Sequence, residues 1–370
     1  MRVSDEAELA EAVRAAQGPL TISGGGTRAV GLATAGMAGG GAIDTSGLSG
    51  IRLYEPGALT LVAGAGTPLA EVEAALAAEG QRLAFEPADW RGLLGTRGEP
   101  TVGGMVAANV SGPRRAQAGA CRDALLGVRF VDGAGAVVKN GGRVMKNVTG
   151  YDLARLMAGS WGTLGILTEV SLKVLPAAET AATLALPGVG VEDAAAALSA
   201  ALGSPYDITG AAFLPGAGAL VRIEGFAQSV AYRAGRLEAH LARFGEVVRR
   251  EDGAALWRQV AEVAPFQGRA GDVWRFSLKP SEAAEVARRL EGEVVLDWGG
   301  GLLWALLPAG TDARALARPY HGHATLFRAD AGTRGQLPVF EPEAPAVQVI
   351  TSGLRARFDP RGILNPGRMG

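Results

Sequence analysis

Residues 141–176 read GGRVMKNVTGYDLARLMAGSWGTLGILTEVSLKVLP, and the reading of this stretch decides the fold. It predicts a loop, a short helix over Tyr151–Met157 and a turn carrying Gly159, Gly162 and Gly165. A strand follows, in which Val170, Leu172 and Val174 alternate with Glu169, Ser171 and Lys173, the period of two of a pleated strand. Glycines three residues apart leave main-chain N–H groups uncovered, so a flat ligand can lie against the backbone; an ordinary turn is the other reading.

Upstream of this stretch, Ser4 caps a predicted helix over Asp5–Gln17, and Thr67 and Pro68 open a second that Gly80 closes. Short strands are expected at Leu20–Ser23, Ala42–Asp44, Ile51–Tyr54 and Thr60–Ala63, and a hairpin joins Gly127–Val131 to Ala136–Lys139. Two small subdomains are expected, about 1–65 and 66–177. Past Pro176 the pattern becomes β-α-β-β-α-β to about Arg250. After a linking helix near Ala254–Val263 it recurs to about Arg328. A covering domain over 178–335, made of duplicated ferredoxin-like units, is therefore expected in an α+β protein. A Pro-rich linker, a last helix over about Ala346–Phe358 and a Gly- and Pro-containing tail make up 336–370.

The chain has 370 residues, enough for more than one core, and 48% of them are hydrophobic. A formal net charge of −1 removes the electrostatic case for nucleic acid or an anionic membrane as partner. One cysteine, Cys121, excludes an intrachain disulfide and an iron–sulfur cluster held by this chain alone. Three histidines make a histidine-rich metal centre an unfavoured reading. The acidic amphipathic start and the lack of a long apolar run predict a cytoplasmic protein with no transmembrane segment, any membrane association coming through partners. The sequons at Asn109 and Asn147 are accordingly not expected to carry glycans.

Two more glycine-rich segments precede the opening stretch: Gly24-Gly25-Gly26-Thr27-Arg28, directly after a strand, and Thr101-Val102-Gly103-Gly104 through Asn109 and Ser111. Neither the GxGxxG fingerprint nor the GxxxxGK[ST] phosphate loop is present. Successive N–H groups at Gly24–Gly26 can still form an anion site, with the Thr27 hydroxyl and the Arg28 charge for a pyrophosphate. A surface turn with a solvated arginine is the competing reading. Asn109 and Ser111 either bond a cofactor or cap a loop.

Taken in order, SGGGTR, PTVGGMVAANVSG, GSWGTLGILTEVSLKVLP and the closing FDPRGILNPGR resemble the FAD-linked oxidases of the vanillyl-alcohol-oxidase type. Within these the chain is most similar to the FAD-binding subunits of bacterial glycolate oxidases. The resemblance covers residues 20–176 and the tail from 358 to 368, and the middle only loosely. It implies two α/β subdomains holding FAD between them and a third domain over the flavin ring. It assigns Gly24, Gly25, Gly26, Thr27 and Arg28 to the pyrophosphate, and Thr101, Gly103, Gly104, Asn109 and Ser111 to the rest of the dinucleotide. Gly165 and Ile166 would offer backbone contacts, and Asn365 would return beside the isoalloxazine.

Departures from the family pattern shape the functional expectation. The first loop has no histidine, and Gly119-Ala120-Cys121-Arg122-Asp123 does not match a cysteine-linked pattern, so the FAD is expected to be non-covalent. His321-Gly322-His323 lacks a third ligand, so no metal is expected. Trp161 stands where many relatives carry an acid, and either stacks on the flavin or packs in the core. Arg275 and Arg328 either bind a carboxylate or sit in ordinary ion pairs. Hydroxyacid oxidation needs a hydride acceptor, a base and a cation for the carboxylate; the sequence offers no convincing base. The resemblance therefore implies an FAD-dependent subunit working with a second FAD-linked oxidase subunit and an iron–sulfur subunit on a small 2-hydroxyacid. The alternatives are a self-sufficient FAD-dependent hydroxyacid or alcohol dehydrogenase using Arg275, Arg328, His321 and His323, and a non-catalytic scaffold subunit.

Overall fold

A computed structural model of the chain describes residues 1–31, 40–143 and 150–369. The sequon at Asn147 lies outside these residues. No helix among the described residues is long and apolar enough to cross a membrane.

Strand β1 (Leu20–Ser23) pairs in parallel with β2 (Gly41–Asp44), and the tail adds a parallel bridge from Leu364 to Leu20 on the other side. The helix Glu6–Ala15 closes this layer, burying Leu9, Ala10 and Val13 against Leu20, Ile43, Ile166 and Ile363. Its N-cap is Asp5, whose carboxylate accepts from Glu8 N at 2.8 Å; Ser4, the expected cap, instead gives its N–H and hydroxyl to the Glu8 carboxylate. The Ser4/Glu8 contacts tie down the residue before the cap, so the cap falls one position later than the sequence suggests.

Strands β3 (Ile51–Glu55) and β4 (Thr60–Gly64) continue the chain, and β5 (Gln81–Arg82) follows the helix Leu69–Ala78. Thr67 does not cap that helix; its hydroxyl donates to Gly64 O at 2.7 Å and so holds the turn before it. Strands β6 (Leu125–Val131) and β7 (Val137–Gly141) form the hairpin, and β8 (Ile166–Lys173) is the strand of the opening stretch. These make an antiparallel sheet of order β3-β4-β8-β6-β7, which takes strands from both sides of residue 65. Central β8 is covered on both faces, and even Ser171 is buried.

After the short β9 (Leu175–Pro176) the chain builds one eight-stranded antiparallel sheet. Its first half has β10 (Thr180–Leu186), β11 (Ile208–Leu214), β12 (Gly218–Gly225) and β13 (Val248–Arg250). Its second has β14 (Asp272–Leu278), β15 (Glu293–Asp297), β16 (Leu302–Leu307) and β17 (Gly322–Arg328). The order β13-β10-β12-β11-β15-β16-β14-β17 is the ferredoxin-like order 4-1-3-2 followed by its mirror, 2-3-1-4. The halves meet through β11 and β15, at Phe213 opposite Leu296. Helices cover one face: Trp274, Phe276, Leu303 and Ala305 pack with the helix Ala283–Leu290, and Leu184 and Val221 with the helices Val191–Leu202 and Ala227–Leu241.

The other face rests on the first half of the chain. Trp90 packs edge-on against Trp304 and Phe327, with ring centres 5.9 and 4.9 Å apart. Around this apolar contact run charge pairs between the two parts. Arg222 on β12 holds Glu86 at 2.9 and 2.7 Å, and Arg114 and Arg82 hold Glu224 at 2.7 and 3.0 Å.

Candidate functional site

Backbone hydrogen bonds bring the three glycine segments to one place. Gly103 N donates to Ala65 O at 2.7 Å, and Val102 N to Thr67 O at 3.0 Å, which seats the helix Val102–Ala107 on the end of β4. The third turn then hangs from that helix: Gly159 N bonds Val106 O at 3.2 Å and Trp161 N bonds Ala107 O at 2.9 Å. The tail closes the arrangement. The Asn365 side chain accepts from Ile22 N at 2.8 Å and donates to Trp161 O at 2.9 Å, tying β1, the third turn and residues 363–368 into one wall.

The result is a cleft of ≈ 770 Å³, open mouth included. Gly24, Gly25, Gly26, Thr27, Arg28, Thr101, Gly103, Gly104, Gly165, Ile166 and Asn365 all line it. Asn109 and Ser111 are not among the lining residues. Their side chains serve the local chain: Asn109 Oδ1 accepts from Arg122 N and Ser111 Oγ from Cys121 N, both at 3.0 Å. Sequence reading missed Arg368, Thr45, Ala65 and Ala107 in the wall. Arg368 stands in the quoted tail motif, but a lone arginine among glycines and prolines gives no sign of burial.

The glycines serve two purposes. A Cβ on Gly25 would stand 1.5 Å from Glu99 O, and one on Gly24 2.5 Å from Thr101 Oγ1, so these positions are bare because neighbouring chain presses on them. Gly26 differs: its φ is +66° and a Cβ there would meet nothing within 4 Å. Thr101 caps the helix behind it, its hydroxyl accepting from Gly104 N at 3.3 Å.

Arg28 decides what the cleft is suited to hold. It is 8% exposed, its Nε has no partner, and among the described residues its guanidinium makes no hydrogen bond or ion pair. Burial pulls its pKa down to about 10, opposed by the Asp89 charge. A buried cation without a counterion is costly, and a phosphate oxygen in the cleft would supply the missing partner. Arg368 is also buried and its pKa lies at about 10 through burial, but its guanidinium is engaged with Val30 O and Arg28 O at 3.2 and 3.0 Å. It lies over the Trp161 ring, 5.2 Å from the ring centre; Phe340 packs edge-on to the same ring at 5.8 Å.

Other candidate residues separate in the structure. Arg328 is a clamp, donating to Leu93 O, Phe266 O and Arg269 O at 2.7–3.1 Å. His321 pairs with Glu282 at 2.6 Å on the surface. Arg275, on the face of the large sheet that meets the first half, makes no hydrogen bond or ion pair among the described residues, and its Nε is unpartnered. Its guanidinium lies 5.4 Å from the ring centre of Trp298, and that of Arg115 lies 4.2 Å from the same ring. Arg115 likewise has no carboxylate partner among the described residues. The charges of both lower the pKa of His323, an effect second to desolvation.

An open cleft walled by glycine backbone, with one buried guanidinium that has no partner among the described residues, suits a nucleotide cofactor, and comparison with known proteins identifies a flavin-nucleotide protein. The FAD binding domain family matches residues 1–141. The glycolate oxidase subunit GlcE of Escherichia coli (strain K12) is 38% identical over 355 residues, 95% of this chain and 92% of that protein. The glycolate oxidase subunit GlcD of Bacillus subtilis (strain 168) is 44% identical over 84 residues, 23% of this chain and 18% of that one. Among solved structures, 4-ethylphenol oxidase from Gulosibacter chungangensis superposes with a TM-score of 0.73 at 14% identity, over 100% of this chain and 88% of that one, a likeness of fold. The chain belongs to the family of FAD-binding oxidoreductase subunits represented by GlcE.

Proposed function

We propose that the chain is the FAD-carrying subunit of a glycolate oxidase-type complex and takes part in oxidising a small 2-hydroxyacid. The carrying observation is the single cleft in which eleven of the thirteen expected residues meet around the unpaired Arg28. Bound without a covalent link, FAD supplies a two-electron acceptor. Gly24–Thr27 and Arg28 would hold its pyrophosphate through N–H groups and charge, Gly103, Gly104, Gly165 and Ile166 would meet it with backbone, and Asn365 would fix the wall beside its ring system. Asn109 and Ser111 would act one step back, by holding the loop behind this wall. The partners are a second FAD-linked oxidase subunit and an iron–sulfur subunit. The expected domains, 1–177 with the tail 336–370 for FAD and 178–335 as cover, fit the two large sheets.

A second reading, oxidation by this chain alone, has one observation in its favour: Arg115 and Arg275, without carboxylate partners among the described residues, both lie over the Trp298 ring, with His323 within reach of their charge. That arrangement suits a carboxylate beside a neutral imidazole able to accept a proton. One experiment separates the readings. The isolated chain is expected to carry one acid-releasable FAD per protein, whose absorbance glycolate or D-lactate bleaches anaerobically only when the second flavoprotein is present. Bleaching of the isolated chain selects the second reading, and a colourless, FAD-free chain removes both.

A further inference from the structure

The face of the large sheet that meets the first half is apolar around one polar island. Val273, Val295, Trp304 and Phe327 belong to the same apolar cluster as Trp90 and Met105 of the first half. Among them, Arg275 stands opposite Trp304 and Thr325, and Ser277 opposite His323, in the ladders of β14 with β16 and β17. Directly paired residues share a face, so Arg275, Ser277, Thr325 and His323 lie on the face that carries Trp304 against Trp90. Arg115 comes from the first half, on the helix Arg115–Ala118. Trp298 Nε1 donates to Gly112 O at 3.0 Å and so fixes its ring at this seam.

The island is a recess, not packed interior. Arg115, Arg275 and Ser277 are part-exposed and His323 is exposed. Yet burial pulls the Arg275 pKa down to about 10, with the Arg115 charge adding to the effect, and burial lowers the pKa of Arg115 and of His323 as well. Groups that solvent reaches and that protein still crowds line a concave site. Neither cation is compensated. Their guanidiniums make no hydrogen bond or ion pair among the described residues, and Arg275 Nε is buried without a partner. Asp123, whose charge reaches Arg115, is held by Ala120 N at 2.9 Å and by Arg122. Asp297, whose charge reaches Arg275, is 2% exposed, and burial pushes its pKa up to about 8. At neutral pH it is therefore mostly protonated and offsets little of the Arg275 charge.

We propose that this recess binds a small dicarboxylate, one carboxylate on Arg115 and the other on Arg275, and that the bound diacid ties the covering sheet to the first half of the chain. Two uncompensated cations call for a dianion, since a single carboxylate leaves one of them unpaired. Both guanidiniums lie within 5.4 Å of the Trp298 ring centre, so a short diacid spans them. A guanidinium fork matches the plane of a carboxylate. The Trp298 ring and the Trp304 ring, 5.7 Å from Arg275, give flat walls that suit a planar acid better than a tetrahedral phosphate. The diacid takes the place of the single carboxylate in the second reading above. It needs neither flavin nor a proton transfer to His323, so the site rests on no reading of the flavin cleft.

The test is calorimetric titration of the purified full chain with oxalate, malonate, glycolate and sulfate at one pH and constant ionic strength. It is run on wild type, Arg115→Met, Arg275→Met and Arg275→Lys. The better of the two diacids is expected to bind wild type at least tenfold more tightly than glycolate or sulfate, and to raise its melting temperature. Each Met variant is expected to lose at least tenfold of that affinity, and Arg275→Lys, which keeps the charge and loses the fork, to fall between. Replacing an unpaired cation by apolar volume should not unfold the chain; should Arg275→Met fail to fold, the Lys variant carries the comparison. Glycolate binding as tightly as the diacids overturns the proposal, since the arginines then hold one carboxylate. Equal binding of sulfate overturns the choice of a dicarboxylate, and affinity unchanged in either Met variant puts the diacid elsewhere. FAD content is measured on every preparation, and a chain that purifies without FAD is titrated all the same, so failure of the cofactor assignment and failure of this site are told apart.

Discussion

A guanidinium buried without a counterion weakens the empty protein and strengthens the loaded one, and Arg28 is in that position. Arg28→Met is expected to leave the FAD-free chain as stable as wild type or more so, since an unpaired buried charge gives way to apolar volume. FAD affinity should fall about 10- to 150-fold, the equivalent of losing one charged hydrogen bond of roughly 1.5–3 kcal/mol. Thermal melts of the apo form and flavin titration read the two halves of this prediction; a variant that loses both stability and affinity would show Arg28 to be structural. The neighbouring glycines divide in the same measurement. Gly25→Ala forces a Cβ to 1.5 Å from Glu99 O and is expected to cost upwards of about 3 kcal/mol, whereas Gly26→Ala opens onto free space at a φ of +66° and should cost about 1 kcal/mol. From sequence, glycine shows where backbone comes close but not what comes close to it. Asn109 and Ser111 illustrate the same limit: a hydrogen-bonding side chain beside a glycine segment serves a ligand or a loop, and only the position of Cys121 N and Arg122 N settles which.

At the scale of elements, the tail acts as a missing strand and a latch. Leu20 N bonds Ile363 O and Asn365 N bonds Leu20 O, at 2.7 and 2.9 Å, so β1 is hydrogen-bonded on both edges only when the tail is in place. Asn365, 2% exposed, then links Ile22 to Trp161. Asn365→Ala leaves the half-buried Ile22 N–H and Trp161 carbonyl without these partners, at a cost of about 1 kcal/mol each, the low end for such groups. Limited proteolysis should cut within 359–369 faster than in wild type, and FAD should dissociate more readily; unchanged cleavage and retention would mean that backbone pairing alone holds the tail. The strands and most helices of this region are legible because their period and caps are local. Arg368 is not, because its burial depends on a chain segment some 340 positions away.

For the molecule as a whole, the question is how two sheets that share one apolar cluster are held in register. Glu224 on β12 is 8% exposed and lies between Arg114 and Arg82 of the first half. Burial raises its pKa, yet the Arg114 hydrogen bonds and the charges of Arg222, Arg114 and Arg82 prevail and hold it at about 2. The unfolded value is higher, at 4.5, so its contribution is complete above about pH 4.5 and is lost as pH falls toward 2. The contribution is on the order of 3 kcal/mol. Urea midpoints of wild type and Glu224→Gln should therefore differ most above pH 5 and converge toward pH 2; a constant gap would show that the carboxylate does not titrate across the interface. The duplicated unit is readable along the chain because each half repeats its own local order. The seam at Phe213 and Leu296 and the Arg–Glu contacts between the large sheet and the first part of the chain have no local signature, and so no pattern in the sequence announces them.

The bond from Ile22 N to Asn365 Oδ1 spans 343 positions. A ribosome must add 343 residues after the first wall of the cleft before the last can meet it. The early glycine loop waits, half-built, for that late segment to arrive, and capture of the nucleotide waits with it.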